Sequence, residues 1–362
     1  MTPTNETYSR EAVLAFLQFA IEHNASDIFL VSGRPVSIRV GSELLMMDDH
    51  RLMPEDTEVI MTHIYALAHE RSTKILEERG DDDFSFSVPR MSRFRVSAFK
   101  QRGSLSAVIR IINFRLPDPV ELHIPESVIS LDRYTKGMIL ITGPAGSGKS
   151  TTLAAIIDHI NNTQQKHIIT LEDPLEHLHR HNLSIVSQRE IHVDTESYVS
   201  ALRASLRQSP DVILLGEMRD YETMQVAMTA AETGHLLFST LHTLGSANTI
   251  NRIIDVFPPS QQQQIAVQLS MILKAIVSQQ LVTTVDGNLM PVFEIMTVNQ
   301  AIRNMIRDNK LPQIDGLLQS SNSDTLLSMD TSLQRLYQAG HITKETALMH
   351  AVNPEILERK LR

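Results

Sequence analysis

The stretch GMILITGPAGSGKSTTLAAIIDHI, residues 137–160, decides the fold. Its opening residues are apolar enough for a strand buried on both faces, and TLAAIIDHI that closes it is helical. Between them stands GPAGSGKST, Gly143 to Thr151, with four residues separating Gly143 from Gly148 and then Lys149 and Ser150. That is the spacing of a phosphate-binding loop after a strand and before a helix. Pro144, Ala145, Gly146 and Ser147 form the body of the loop. The glycines let backbone N–H groups turn inward around phosphates, and the following helix presents its positive end. Lys149 is expected to bridge the terminal phosphates of a bound nucleotide, and the Ser150 hydroxyl to ligate Mg²⁺.

Downstream of this unit the pattern repeats. Apolar strands are expected at Gly137–Ile141, His167–Leu171, Asp211–Leu215 and His235–Ser239, alternating with helical stretches. Such strands belong to a parallel sheet covered on both faces. Acidic residues close two of them, which places carboxylates at the edge where the loop holds phosphates. DVILLGEMRD, residues 211–220, offers Glu217 to orient or deprotonate the attacking water. IITLEDPLEH, residues 168–177, offers Glu172 and Asp173, which could polarise the nucleophile or hold Mg²⁺ through water. In AAETGHLLFSTLHT, residues 230–243, His235 and His242 flank a strand at a spacing of seven. An odd spacing puts them on opposite faces, so they do not share a metal on one strand. One histidine at each end suits sensing a phosphate and reporting it elsewhere. The tract EHLHRH, with His177, His179 and His181, reads as a solvated polar loop rather than a metal site.

Before residue 115 the sequence has another character. Apolar residues Val13, Leu14 and Leu17 space a helix over 9–23 with Ser9 as N-cap. Short strands are expected at 27–31 and 36–40 and a helix over 54–78 ended by Gly80. Alternation around Phe84–Val88, Phe94–Ala98 and Ala107–Ile112 marks a meandering antiparallel sheet, with a turn over Lys100–Ser104. The prolines of RLPDPVELHIPESV, residues 115–128, mark an extended linker. Beyond residue 260 the chain reads as mostly helical, with one strand-like piece near 288–295. The expected division is therefore an α+β domain over 1–115, a linker over 116–130, an α/β domain over 131–275 and a mainly helical region over 276–362.

Composition excludes several classes. With 362 residues, 42% hydrophobic and 21% charged, the chain has the material of a multidomain globular protein. It contains no cysteine, hence neither disulfides nor a thiolate zinc site. The N-terminal residues carry no basic region ahead of an apolar run, so a signal peptide is not expected, and no stretch suits a membrane span. A net charge of −9, no tryptophan and no dense Lys/Arg tract speak against a nucleic-acid translocase. A small-molecule kinase would leave the N-terminal domain unexplained.

Four segments together, GPAGSGKST, TLEDPLEH, LLGEMRD and ETGHLLFSTLHT, resemble in order the Walker A, Asp box, Walker B and His box of the type II/IV secretion ATPase superfamily. ASDIFL (25–30), DFSF (83–86), RFRVSAF (93–99) and AIRNMIRDNK (301–310) extend the resemblance toward the PilT-type pilus-retraction ATPases. The last segment is similar to their AIRNLI motif with Met305 for leucine. Extension and type II secretion relatives usually carry a four-cysteine zinc site, which this chain lacks. The resemblance implies a PAS-like N-terminal domain, a RecA-like P-loop ATPase domain with a helical C-terminal extension, and a ring of six subunits. It implies that Arg95 and Arg110, on the N-terminal sheet, reach the nucleotide as arginines lent to phosphoryl transfer, whereas the residues alone leave them as a solvated strand face. His235 and His242 gain a catalytic role by the same resemblance. The implied activity is ATP hydrolysis with Mg²⁺, driving pilus retraction and twitching motility from the cytoplasmic face of the inner membrane. Implied partners are an inner-membrane platform protein, which alone brings the chain to the membrane, and a second pilus ATPase; no nucleic acid is expected. An accessory PilU-like ATPase, or a type IV secretion ATPase of the DotB kind, is the alternative. Two departures stand out: Phe29 replaces the histidine of the family's ASDLHL, and Asp81–Asp83 is unusually acidic.

Overall fold

A computed structural model describes residues 8–41, 43–112, 116, 118–321 and 323–361. The reading of residues 1–7 and of Pro117 lies outside the described residues. The chain forms two compact units, Met1–Phe114 and Arg115–Arg362.

In the first unit, six strands make one antiparallel sheet: β1 (Asp27–Leu30), β2 (Ser37–Val40), β3 (Glu43–Met46), β4 (Asp81–Val88), β5 (Ser92–Gln101) and β6 (Ser104–Ile112), in the order β3-β2-β1-β6-β5-β4. Period-two alternation does the sorting. Phe94, Val96, Ala98, Ile109 and Ile111 point into the core, and Arg95 and Arg110 lie side by side on the other face as cross-strand partners. Helix Arg10–Glu22 closes the core with Val13, Phe16, Leu17 and Ala20, and Ser9 caps it by accepting from the Ala12 N–H. β3 is an addition to the expected strands. The helix expected over 54–78 is two helices, Pro54–Leu67 and Lys74–Arg79. Between them His69 and Glu70 take positive φ, and the detour carries Arg71 to Asp82, where its guanidinium forks the carboxylate. A tertiary ion pair outweighs the local helical pattern.

The second unit holds an eight-stranded sheet. Its strands are β7 (Gly137–Thr142), β8 (His167–Glu172), β9 (Ile185–Glu190), β10 (Val212–Leu215), β11 (Leu236–Leu241), β12 (Leu273–Thr283), β13 (Leu289–Thr297) and β14 (Leu326–Leu327), in the order β14-β13-β12-β7-β11-β10-β8-β9. From β12 to β9 every pairing is parallel. β7 shows why both faces are covered. Met138 and Leu140 join one apolar cluster, Ile139 and Ile141 the opposite one. Each such buried chain contributes roughly 1.5–3 kcal/mol.

Two expectations are revised by this sheet. β12 was not expected: LKAIVSQQLVT follows the helix Pro259–Ile272 without a Gly or Pro break, and its two glutamines disguise a strand that lies buried in mid-sheet. A boundary between residues 275 and 276 therefore falls inside β12, and the residues beyond it supply strands before they turn helical. Nor is the expected linker extended throughout. Ile124, Val128 and Ile129 are buried in the core of the second unit, through a short helix Glu126–Ile129.

Candidate phosphate-binding site

The loop after β7 sits between the strand and the helix Lys149–Thr163. Gly143, Gly146 and Gly148 all take positive φ. At Gly143 a side chain is excluded twice over, because a Cβ would lie 2.1 Å from the Gln279 carbonyl oxygen and 2.8 Å from Ser147 Oγ. Pro144, Ala145 and Gly146 are exposed at the crown, where the loop meets solvent. Ser147 Oγ is buried and finds no hydrogen-bond partner among the described residues. Lys149 is 8% exposed. Its Nζ donates to the carbonyls of Pro144 (2.8 Å) and Gly143 (3.0 Å). Burial pulls the ammonium's pKa down, and the carboxylates of Glu176 and Glu217 act against that. Ser150 and Thr151 are half-buried in the first turn, while Thr152 donates to Gln279 Oε1 at 2.8 Å.

All parallel strands end on the same side, so β10 and β11 deliver their last residues beside this loop. Glu217 follows β10 and His242 follows β11, and His242 Nε2 lies 3.4 Å from Glu217 Oε2. The other carboxylate oxygen, Oε1, takes an ion pair with Arg219 Nε. Glu172 closes β8. Its carboxyl pKa is pushed up to about 7, chiefly by burial, with Glu176 adding to it and Thr170 and Gln188 opposing. Asp173 is exposed and lines a cleft of about 200 Å³ with Glu217, Arg219, Asp220, His192 and Tyr198. Burial raises the Tyr198 phenol's pKa, helped by Glu217, Asp173 and Glu172.

Not every expected residue meets at this edge. His235 precedes β11, at the opposite end of the strand and ~20 Å away at 3.3 Å per residue. Its Nδ1 lies 3.0 Å from the Ala230 carbonyl, so its place is at the helix end beneath the sheet. Arg95 and Arg110 belong to the first unit. There Arg110 Nε donates to Asp27 Oδ1 at 3.0 Å, and Arg39 lies 3.8 Å from the other oxygen and 5.2 Å over the ring of Phe29. The departure at Phe29 thus has a partner, a cation over its face. The histidine tract is not simply a solvated loop. His179 is buried, its pKa pushed down to about 4 by burial and by His177, and His181 Nδ1 accepts from the Val186 N–H. Among the described residues no group of three or more His, Asp or Glu could hold a metal ion.

Sequence reasoning passed over Arg219, Tyr198 and Gln279. Arg219 stood in plain view in LLGEMRD, two residues after the glutamate. Tyr198 and Gln279 come from elements whose proximity only the sheet order creates.

Loop, strand-end glutamate and parallel sheet define the class of P-loop nucleotide hydrolases. Within that class the chain belongs to the type II/IV secretion system protein family, which matches residues 5–300. It is 41% identical over 343 residues to the type IV pilus retraction ATPase PilT of Pseudomonas aeruginosa, covering 95% of this chain and 99% of that protein. The crystal structure of the pilus retraction motor PilT with bound ADP superposes with a TM-score of 0.88 at 46% identity, covering 96% of this chain and 98% of the other. The ATPase DotB of Legionella pneumophila superposes with a TM-score of 0.81 at 25% identity, over 99% and 98% of the two chains.

Proposed function

We propose that this chain is the ATP-hydrolysing motor of a type IV pilus system and couples hydrolysis to pilus retraction. The observation that carries the chemistry is Glu217, 12% exposed and within 3.4 Å of His242, at the sheet edge beside Lys149. The similarity to retraction motors over nearly the whole chain supports the cargo.

In this reading the triphosphate lies along Gly143–Thr151, held by loop N–H groups and the helix N-terminus. Lys149 leaves the Gly143 and Pro144 carbonyls for phosphate oxygens, whose full charge makes the stronger bond. Glu217 orients the attacking water, and His242 stands where it reads the γ-phosphate through that carboxylate. Glu172, with a pKa near neutrality, is suited to take up and return a proton. The base fits the cleft of about 240 Å³ beyond Gly148, between Leu122, Ile124, Leu281 and Pro291, with the Gln279 amide on its floor.

Ser150 and Asp173 would hold Mg²⁺. A hydroxyl and an exposed carboxylate are the hard oxygen donors it takes, with waters and phosphates as its usual other ligands. Mg²⁺ supplies charge neutralisation to the phosphates.

In this reading the first unit is PAS-like and the second RecA-like, six copies form a ring, and Arg95 and Arg110 reach the nucleotide. His235, far from the loop, relays rather than touches. The ring works at the inner face of the cytoplasmic membrane on a platform protein, with a second pilus ATPase as partner.

Two variants test the site and one assay tests the cargo. Lys149→Ala should lose nucleotide affinity by roughly ten- to a hundredfold, the loss of a charge-assisted contact. Glu217→Gln should bind ATP and leave it unhydrolysed. Normal turnover in Glu217→Gln would remove Glu217 from the reaction. In cells, replacing the gene with the Glu217→Gln allele should leave labelled pili extended, and ordinary retraction would overturn the pilus assignment.

A further inference from the structure

Every residue of GEMRD, 216–220, has a place except one. Gly216 has Tyr198 Oη 2.9 Å from where its Cβ would be, so a side chain there would have to displace the phenol. Glu217 is the strand-end acid. Met218 is buried at 2%, and its N–H donates to the Thr240 carbonyl at 3.3 Å. Asp220 caps the helix Tyr221–Glu232 by accepting from the Thr223 N–H and hydroxyl at 2.8 and 2.9 Å. Arg219 lies between two pinned neighbours, and its side chain, 72% exposed, pairs through Nε with Glu217. An exposed arginine gains little from an ordinary surface ion pair.

The groups facing the Glu217 carboxylate explain what this pairing can do. On the cationic side stand Lys149 from the loop, His242 after β11 and Arg219. On the other side stand Asp173 and the phenol of Tyr198, in the cleft Glu217 lines. Lys149 is committed to loop carbonyls and, in the reaction proposed above, to phosphate. His242 carries charge only when protonated. Arg219 alone is a permanent cation in contact with the carboxylate. Its Nε engages Oε1, while His242 approaches Oε2 from the far side. With the guanidinium at Oε1 and His242 within 3.4 Å of Oε2, rotation of the carboxylate about its last bond is restricted.

We infer that Arg219 is a positioning residue for hydrolysis, fixing the Glu217 carboxylate plane so that a water is held in line for attack. It orients the acid and does not touch the nucleotide. A glutamate swinging freely would still let ATP bind, but would present its oxygens to the water only part of the time. The inference rests on the ATPase reading of the site.

The test is steady-state ATP hydrolysis by the full chain, with kcat and KM separated, for Arg219→Ala, Arg219→Lys and Glu217→Gln, beside binding of a fluorescent ADP. Arg219→Ala should lower kcat by about ten- to a hundredfold, the loss of one charge-assisted contact, with KM and ADP affinity within about twofold of wild type. Arg219→Lys should recover a good part of that loss, since a cation returns without the guanidinium fork. A purely structural role would leave kcat per folded molecule alone. Wild-type kcat in Arg219→Ala beside a dead Glu217→Gln would overturn the positioning role and leave the active site standing. KM rising with kcat unchanged would make Arg219 a nucleotide ligand instead. Lysine no better than alanine would show that the charge is not what acts. Full turnover in Glu217→Gln would instead sink the site reading itself.

Discussion

The guanidinium of Arg71 forks the carboxylate of Asp82, Nε to Oδ2 at 2.9 Å and Nη2 to Oδ1 at 2.8 Å. Tyr65 adds a third bond, its hydroxyl donating to Oδ2 at 3.0 Å. Asp82 is the buried middle of the acidic run Asp81–Asp83, and the guanidinium also lies 5.3 Å over the Phe84 ring. One carboxylate thereby ties together a helix, the turn after it and the edge strand β4. The acidic run is therefore a single structural acid between two exposed ones.

Removing that acid leaves a half-buried arginine and a buried phenol without their acceptor. Asp82→Ala should therefore lower stability by about 3 kcal/mol, at the low end for breaking a buried pair. Asp81→Ala and Asp83→Ala, both on the exposed face, should stay within about 0.5 kcal/mol. Urea unfolding followed by circular dichroism distinguishes the three. Equal midpoints for all of them would mean that the fork contributes nothing.

Glu172 gives the site a pH signature. Its pKa stands at about 7 against an ordinary 4.5. A carboxyl raised on folding binds its proton more tightly in the native state, so it favours folding most below pH 4.5 and loses that advantage as pH climbs to about 7. Across that window the loss is on the order of 3 kcal/mol. Glu172→Gln has no proton to lose. Its melting temperature, compared with wild type at each pH, should gain on wild type steadily between pH 4.5 and 7 and level off above. A constant difference over that range would place the proton elsewhere.

How much of this was legible in the sequence depends on the range of the forces involved. The phosphate loop was readable whole, because its glycines, lysine and flanking apolar strand are consecutive and each is required locally. Glu217 and His242 were readable as strand ends, since a parallel sheet brings all such ends to one edge. His235 was readable by the same logic as standing at the opposite end, since a spacing of seven puts the two histidines on either side of β11. β12 stayed hidden because its Gln279 and Gln280 look solvated until Thr152, from the helix after the phosphate loop, and the His350 carbonyl take up their amides. The break after Leu67 was invisible for a similar reason, since only Asp82, from another element, calls Arg71 out of the helix. Local chemistry was written locally, and partnerships across the fold were not.

Arg110 Nε donates to Asp27 Oδ1 at 3.0 Å while its side chain remains 65% exposed. Asp27 is buried and also faces Arg39, so one carboxylate holds two arginines on the outer face of the first sheet. A guanidinium so held keeps its orientation and still has donors to spare, which suits an arginine presented to phosphate. If Arg110 acts on charge developing at the γ-phosphate, Arg110→Ala should lower kcat strongly, by as much as about 10³-fold, with little effect on folding. Asp27→Ala should lower it less, because the arginine survives without its anchor. If the proposed ring shares these arginines between copies, specific activity should rise with protein concentration. Mixing Arg110→Ala with wild type should then depress turnover by more than the variant's share. Activity against mixing ratio is the measurement. A straight line, unchanged by dilution, with the pure variant near wild type, would return Arg110 to an ordinary strand residue paired with Asp27.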